Sequence, residues 1–406
     1  MQPVAVGTIV AKNFLSFARV LGHSLRQHHP DVPFFVVLAD EVDGVFDPAD
    51  EPFEVVPIQD LAIENLRQLS FWYPRAELSI TAKPYLLDYL LDRGYTGAVF
   101  FDADILILNS LERLLQATLA HAIVLTPHLV TSLSAADRVR RELNILQCGA
   151  YNGGFIGVSE TGDGRRFLAW WKDRLQKDCR HDVAHGFHYD QRWLDLVPTL
   201  FDDVYVERDP AYNVAYWNLP ERDVGSARFF HFSGFEPDNP HIVTRYSNRM
   251  TMATVGPAAA LFDRYVRLLE HQGHSETKRW PYAFERFDNG VSIPRFARDL
   301  YRGLDEESAA VFPDPFCTAG AHSYFAWLNE PVRTAPPECL VTRLWDAVYR
   351  SRPDAQLAYP DHLDADQAGF MNWIVTTGLR EHQICEALRG PRAGAPTRRE
   401  EDPQGS

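Results

Sequence analysis

The sequence predicts an α/β fold: a Rossmann-like parallel sheet flanked by helices, with an α-helical appendage at the C-terminal side. Three observations carry this. Strand-like and helix-like segments alternate over the first 125 residues, an acidic pair closes one of the apolar strand runs, and strand signals fade after residue 250 while helical ones continue. Alternating β and α segments assemble into parallel sheets, and open sheets of that kind bind ligands at the C-terminal ends of their strands.

"VAVGTIV" (4–10) reads as a strand, "FLSFARVLGHSLRQHH" (14–29) has helical apolar spacing, and "PFFVVLAD" (33–40) is a short apolar, β-branched run ending in acid. "SITAKPYLLDYLLDRGY" (79–95) is the next helix and leads into "GAVFFDADILIL" (97–108). Beyond residue 250, "GPAAALFDRYVRLLEHQG" and "PECLVTRLWDAVYR" are helical, and the end, "RGPRAGAPTRREEDPQGS", is rich in Pro, Gly and charge, as disordered tails are. The expected division is 1–250 for the α/β domain, 251–388 for the helical region and 389–406 for the tail.

Asp102 and Asp104 sit in a run that otherwise reads as a buried strand, where an ionised carboxylate is costly unless paired. No basic residue lies between Gly94 and Arg113. Alternation along a strand sends both aspartates to one side and Ala103 to the other, so the two carboxylates can share one cation. Two oxygen ligands at a strand end suit Mg²⁺ or Mn²⁺, which complete their shells with water and substrate phosphate. "ARFFHFSGFEP" offers a third ligand in His231, which alternation sets opposite Phe230 and Phe232; an imidazole shifts the choice toward Mn²⁺.

Charge and composition narrow the ligand class. The 406 residues are 46% apolar and 23% charged with a formal net charge of −15 and no long basic run, which argues against tracking along nucleic acid. Five scattered cysteines without a C-x-x-C pair indicate neither a zinc knuckle nor a disulfide framework and fit a reducing compartment. The N-terminus lacks the pattern of a signal peptide and no apolar run is long enough to span a bilayer, so the expected location is cytoplasmic, including the inner face of a membrane.

The order of "GTIVAKNFLSFARVLGHSL", "FFDADILIL", "YNGGFIGV", "YDQRWLD" and "FFHFSGF" over residues 4–250 resembles the GT-A nucleotide-sugar glycosyltransferases, closest to the retaining family-8-like group that includes bacterial lipopolysaccharide galactosyltransferases. The resemblance implies that Asp102, Asp104 and His231 hold a divalent cation against the diphosphate of a nucleotide-diphosphate sugar, with Ala103 between the two aspartates at the donor. It implies that Thr8, Ile9, Val10 and Asn13 seat the nucleoside, with a helix-capping role as the alternative for Asn13. Lys83 falls where similar enzymes place a basic residue near the donor; a solvated lysine is the alternative. Asn152, Gly153 and Gly154 would approach the sugar, the glycines permitting a bend or a close backbone approach.

Asp190 and Gln191 form the implied catalytic pair. Asp190 would contact donor-sugar hydroxyls, with an N-cap role also adequate, and Gln191 would lie beneath the anomeric carbon, where a neutral amide steadies an oxocarbenium-like centre. Related retaining enzymes follow H-x-S-G with a lysine, whereas here Phe235, Glu236 and Pro237 stand, which makes Arg245 and Arg249 candidates for the phosphate. Tyr212, Trp217 and Asn218 in "YNVAYWNLPER" are candidates for an acceptor platform or for core. The implied acceptor is a glycan or lipid-linked hydroxyl in bacterial surface-glycan synthesis. A nucleotide-sugar hydrolase or pyrophosphorylase and a catalytically silent scaffold are the alternatives; the first would show a Gly-rich basic loop after strand one, which "TIVAKNFLSF" lacks, and the second would lose the metal set.

Overall fold

A computed structural model of the chain describes residues 3–133, 136–333 and 339–390. Residues 391–406, within the expected tail, lie outside the described residues. In chain order the elements of the N-terminal part are β1 (Val4–Val10), α1 (Leu15–His28), β2 (Phe34–Leu38), β3 (Glu54–Pro57), α2 (Leu66–Trp72), α3 (Arg75–Thr81), α4 (Lys83–Asp92), β4 (Gly97–Phe101), β5 (Ile105–Ile107) and α5 (Glu112–Ala120). There follow β6 (Ile123–Pro127), α6 (Arg138–Cys148), β7 (Tyr151–Ser159), α7 (Gly162–Asp178), a hairpin of β8 (His181–Asp182) and β9 (Phe187–His188), α8 (Val197–Leu200), β10 (Val204–Val206), β11 (Val214–Ala215), β12 (Phe229–His231) and α9 (Ala259–His271).

Every residue of β1, β2 and β4 is buried, as strands covered on both faces must be. They belong to a seven-stranded sheet of order β10-β6-β7-β4-β1-β2-β3. β1 is parallel to β2 and β4, and β2 to β3, while β7 runs antiparallel to both β4 and β6, so the α/β sheet is mixed. Because β7 runs the other way, its N-terminal residues lie at the same edge as the C-terminal ends of β1 and β4, the edge where such sheets bind ligands. A smaller sheet, β11-β12-β5, stands beyond that edge.

Two compact units divide the chain, one spanning Met1–Glu64 and Arg75–Ala283, the other Asn65–Pro74 and Phe284–Ser406. The expected boundary at residue 250 falls inside the first unit because α9 completes its core. Leu261, Phe262, Tyr265 and Leu269 line one face of that helix, and Tyr265 stacks on Phe232 at 3.8 Å between ring centroids. The second unit is helical, with helices at Arg295–Arg302, Tyr324–Asn329, Arg343–Arg350 and Gln367–Trp373. It captures α2 because Phe71 sits among Tyr301, Phe316 and Tyr324, and the Arg298 guanidinium donates to the carbonyls of Phe71 and Phe284 at 2.6 and 2.7 Å.

Candidate metal and catalytic site

The run "FFDADILIL" is not one strand. β4 ends at Phe101, and the chain turns through Asp102–Asp104 into β5, which belongs to the smaller sheet. The turn is fixed from both sides: Asp102 N–H donates to the Gly154 carbonyl at 2.9 Å, Ile105 N–H to the Asp102 carbonyl at 3.2 Å, and Phe232 N–H to the Asp104 carbonyl at 2.9 Å. The two carboxylates therefore converge through a turn between sheets and not through strand alternation. Each is about one-third exposed, and this relieves the cost of burial that a true core strand would impose. Ala103 is half-buried and packs against the apolar core residues on either side of the turn, which include Ile105 in one cluster and Leu106 and Phe230 in the other.

His231 reaches them because β12 pairs antiparallel with β5, setting His231 opposite Ile105. Its Nε2 lies 3.1 Å from Asp104 Oδ1 and 3.8 Å from Asp102 Oδ2, and one ligand atom from each of the three residues falls within 4.8 Å of the others. Two carboxylate oxygens and one imidazole nitrogen are a donor set that fits Mn²⁺ or Mg²⁺. Burial works against charge on both His231 and Asp104, but their mutual attraction outweighs it, holding the imidazole pKa above and the carboxyl pKa below its usual value.

The other face of the imidazole is held. His231 Nδ1 and the Gly154 N–H both meet Asn152 Oδ1, at 3.2 and 3.1 Å. Asn152 Nδ2 in turn faces His128 Nε2 at 3.3 Å and donates to Gln191 Oε1 at 3.1 Å. His128 Nδ1 lies 3.3 Å from the Ala150 carbonyl, so a neutral ring with its proton on Nδ1 satisfies every partner. Burial pushes the His128 pKa down to about 3, in keeping with that neutral form. The relay leaves Nε2 of His231 as the atom facing the aspartates, which is how metal-binding histidines are oriented.

Gly153 and Gly154 do not form a bend; they lie inside β7. Their role is close approach. A Cβ on Gly153 would fall 2.6 Å from Asp190 Oδ2, and one on Gly154 would fall 2.5 Å from Cε1 of His231. Among the described residues Asp190 makes no capping bond to the following turn; its carboxylate meets Lys83 instead. Lys83 is buried, not solvated: its Nζ donates to the Gly153 carbonyl at 2.9 Å and to Asp190 Oδ2 at 3.0 Å, and lies 3.2 Å from Asp102 Oδ1. Burial lowers the Lys83 pKa, but Asp102 and Asp190 override it, so the ammonium persists; burial also raises Asp190 against the pull of Lys83. The segment 79–95, expected as one helix, is divided between α3 and α4, with Pro84 in the first turn of the second, and this break places Lys83 at a helix start.

Gln191 is locked. Its Oε1 accepts from Asn152 Nδ2 and the Gly153 N–H, both at 3.1 Å, and its Nε2 donates to the Cys148 carbonyl at 2.9 Å. Gly149, at φ +115°, brings the backbone so close that a Cβ there would lie 2.9 Å from the Gln191 carbonyl oxygen.

At the end of β1, Thr8, Ile9 and Val10 are buried, and Val10 belongs to the core cluster. Among the described residues Thr8 Oγ1 and Asn13 Oδ1 are buried polar atoms without a partner, and α1 has no side-chain cap, so Asn13 does not fill that alternative. Beside them Lys12, fully buried, binds Asp40 Oδ1 at 3.2 Å and the Glu41 carbonyl at 3.0 Å; burial raises the Asp40 carboxyl against its backbone donors and this lysine.

Other candidates fall elsewhere. Tyr212 is core beside Phe229, and Asn218 is a fully buried loop clamp, accepting from the Ala215 N–H and donating to the carbonyls of His128 and Asn213. Neither can be an acceptor platform. Trp217 is buried edge-on to His231 at 5.4 Å and His128 at 5.0 Å, bracing the relay. Arg249 is paired with Asp137 at 3.1 Å, and Arg245 faces Glu236 at 3.6 Å. The residues that sequence reasoning missed are His128 and the Lys12–Asp40 pair. "LTPHLV" carried no signal beyond a histidine after a strand, whereas Asp40 was legible as acid at the end of an apolar run.

No family model matches the chain. It is 26% identical over 251 residues to the uncharacterized protein YfnF of Bacillus subtilis, covering 56% of this chain and 80% of that one, and 23% identical over 262 residues to YfnD of the same organism, covering 58% and 79%. Among solved structures it is similar to the galactosyltransferase LgtC in complex with donor and acceptor sugar analogs, at 14% identity over 66% of this chain and 95% of that one, with a TM-score of 0.40. The bifunctional glycosyltransferase WbbM is similar at 14% identity over 65% and 52%, TM-score 0.37, and mouse xyloside xylosyltransferase 1 at 11% over 57% and 97%, TM-score 0.37.

Proposed function

We propose that this chain is a divalent-metal-dependent glycosyltransferase that moves a sugar from a nucleotide-diphosphate donor to a hydroxyl of a glycan or lipid-linked acceptor, with retention, on the cytoplasmic side in bacterial surface-glycan synthesis. The observation that carries it is the Asp102–Asp104–His231 cluster standing at the ligand-binding edge of the sheet beside the Lys83–Asp190 pair and Gln191. When bound, Mn²⁺ or Mg²⁺ offsets the charge that develops on the leaving diphosphate.

The residues divide the remaining work. Asn152 and His128 keep the imidazole turned outward. Lys83 ties Asp102 to Asp190, so that the metal side and the sugar side of the pocket keep a fixed spacing. Asp190, held against the Lys83 ammonium, is suited to accept hydrogen bonds from sugar hydroxyls. Gln191 presents an amide dipole held by three hydrogen bonds, a preorganised group for a cationic centre rather than a nucleophile. Thr8 and Asn13 offer the unpartnered polar atoms that a nucleoside would satisfy.

The test is release of nucleoside diphosphate from a panel of nucleotide sugars, with Mn²⁺ and after chelation, followed by NMR of the new linkage. Turnover that requires metal, falls by about 10²-fold or more in Asp104→Asn, and yields the donor's anomeric configuration is expected. Metal-independent turnover overturns the cation assignment, and an inverted centre overturns the retaining mechanism.

A further inference from the structure

Helix α6 is docked with its faces reversed. A surface helix ordinarily turns its apolar stripe to the core and its charges to water. Here the buried residue is Arg141, whose guanidinium grips Glu221 through two bonds of 2.7 and 2.8 Å and donates to the Trp217 carbonyl at 2.9 Å. Val139, Leu143 and Leu146, spaced four and three residues apart, share the opposite face and are 59%, 53% and 61% exposed. Among the described residues no other helix exposes three large aliphatic side chains.

The charges beside the stripe say what covers it. Arg138 and Arg140 are exposed, and neither forms an ion pair among the described residues. The nearby acids are engaged: Asp137 with Arg249 at 3.1 Å, and Glu142 accepting the Leu133 N–H at 3.2 Å. A positive, apolar strip on a chain of net charge −15 complements an anionic, apolar partner. A second copy fits poorly, because a two-fold contact would set the same arginines against each other. Apolar residues flanked by arginines on one helix are the pattern of a helix lying in the headgroup region of a bilayer.

We propose that α6 docks the protein on an anionic lipid bilayer through Val139, Leu143 and Leu146, with Arg138 and Arg140 meeting the headgroups. The docking does not depend on the transfer reading. Where both hold, α6 brings the membrane close to the reaction centre, because its last residue, Cys148, accepts the hydrogen bond that locks Gln191.

The experiment is co-sedimentation of the full chain with vesicles of phosphatidylcholine alone and with about 30% phosphatidylglycerol. Binding to the anionic vesicles, at least about tenfold weaker on the neutral ones and weakened by salt, is expected. The triple variant V139S/L143S/L146S loses about tenfold or more, and R138Q/R140Q loses about fivefold per arginine. Both variants keep wild-type circular dichroism and Mn²⁺ affinity, which separates lost docking from lost folding. Equal binding by wild type and the triple variant, or binding to neither vesicle, overturns the proposal. A wild-type dimer in sedimentation equilibrium that the triple variant lacks, without vesicle binding, assigns the stripe to protein contact instead.

Discussion

Gly154→Ala tests the site through one methyl group. The new Cβ would stand 2.5 Å from Cε1 and 2.8 Å from Nδ1 of His231, and 2.7 Å from Asn152 Oδ1. Ordinary contact begins at 3.4 Å, so the ring must retreat by about 1 Å, several times the ~0.2 Å tolerance of a metal–ligand distance. It has little room to do so, since His231 is a buried strand residue bonded to Asn152 and braced by the edge of Trp217. Mn²⁺ affinity should fall about 10- to 100-fold, equivalent to about 1.4–2.7 kcal/mol, and the crowding itself should cost about 1–3 kcal/mol of stability. Free Mn²⁺ measured by electron paramagnetic resonance reads the first, and urea unfolding the second. Gly153→Ala is the matched control, because its Cβ presses on Asp190 Oδ2 at 2.6 Å and its closest contacts include no metal-site residue. It should lose comparable stability yet keep Mn²⁺ affinity within about threefold. Undiminished Mn²⁺ binding by Gly154→Ala, or equal losses in both variants, refutes the reasoning.

Lys83→Met keeps the stem but leaves Asp190 buried without its ammonium, and should cost about 3–5 kcal/mol in urea unfolding, with partial recovery when Asp190→Asn is added. A loss under about 1 kcal/mol would mean the pair carries no such burden. The His128 pKa lies near 3 in the folded chain against an ordinary 6.5, so the unfolded chain takes up the proton first as pH falls. Its stabilising share is full above pH 6.5 and is lost on the way down toward 3, by about 1.5 kcal/mol between pH 6.5 and 5. His128→Gln should flatten that part of the stability–pH curve by this amount; an unchanged slope would show the ring protonated or exposed.

What could be read in the chain was whatever one segment decides for itself. The buried strands β1, β2 and β4 and the helices α1 and α9 followed from uninterrupted apolar runs or helical spacing, because covering both faces, or one stripe, leaves that mark on contiguous residues. Asp102, Asp104, His231, Asp190 and Gln191 stood out as polar residues in apolar or motif-bearing surroundings.

Tertiary structure decided how those residues meet. Periodicity read residues 97–108 as one strand, but pairing of β5 with β12 pulls the chain into a second sheet, and that pairing sets His231 against Asp104. Lys83 was singled out only by the resemblance, with a solvated lysine as the alternative, because nothing local records that Asp102 and Asp190 will close on it. The two glycines left a bend and a close approach both open, because only the side chains of Asp190 and His231, arriving from other elements, show why a Cβ is excluded from a strand. The chain by itself marked where most strands and helices run and which polar residues are candidates for the chemistry, since propensity and pattern are properties of neighbours in sequence. Which nitrogen of His231 faces the aspartates, which ammonium neutralises Asp190 and which face of α6 meets solvent were set by contacts between segments far apart in the chain, and the energy of such contacts exists only once the sheets are registered.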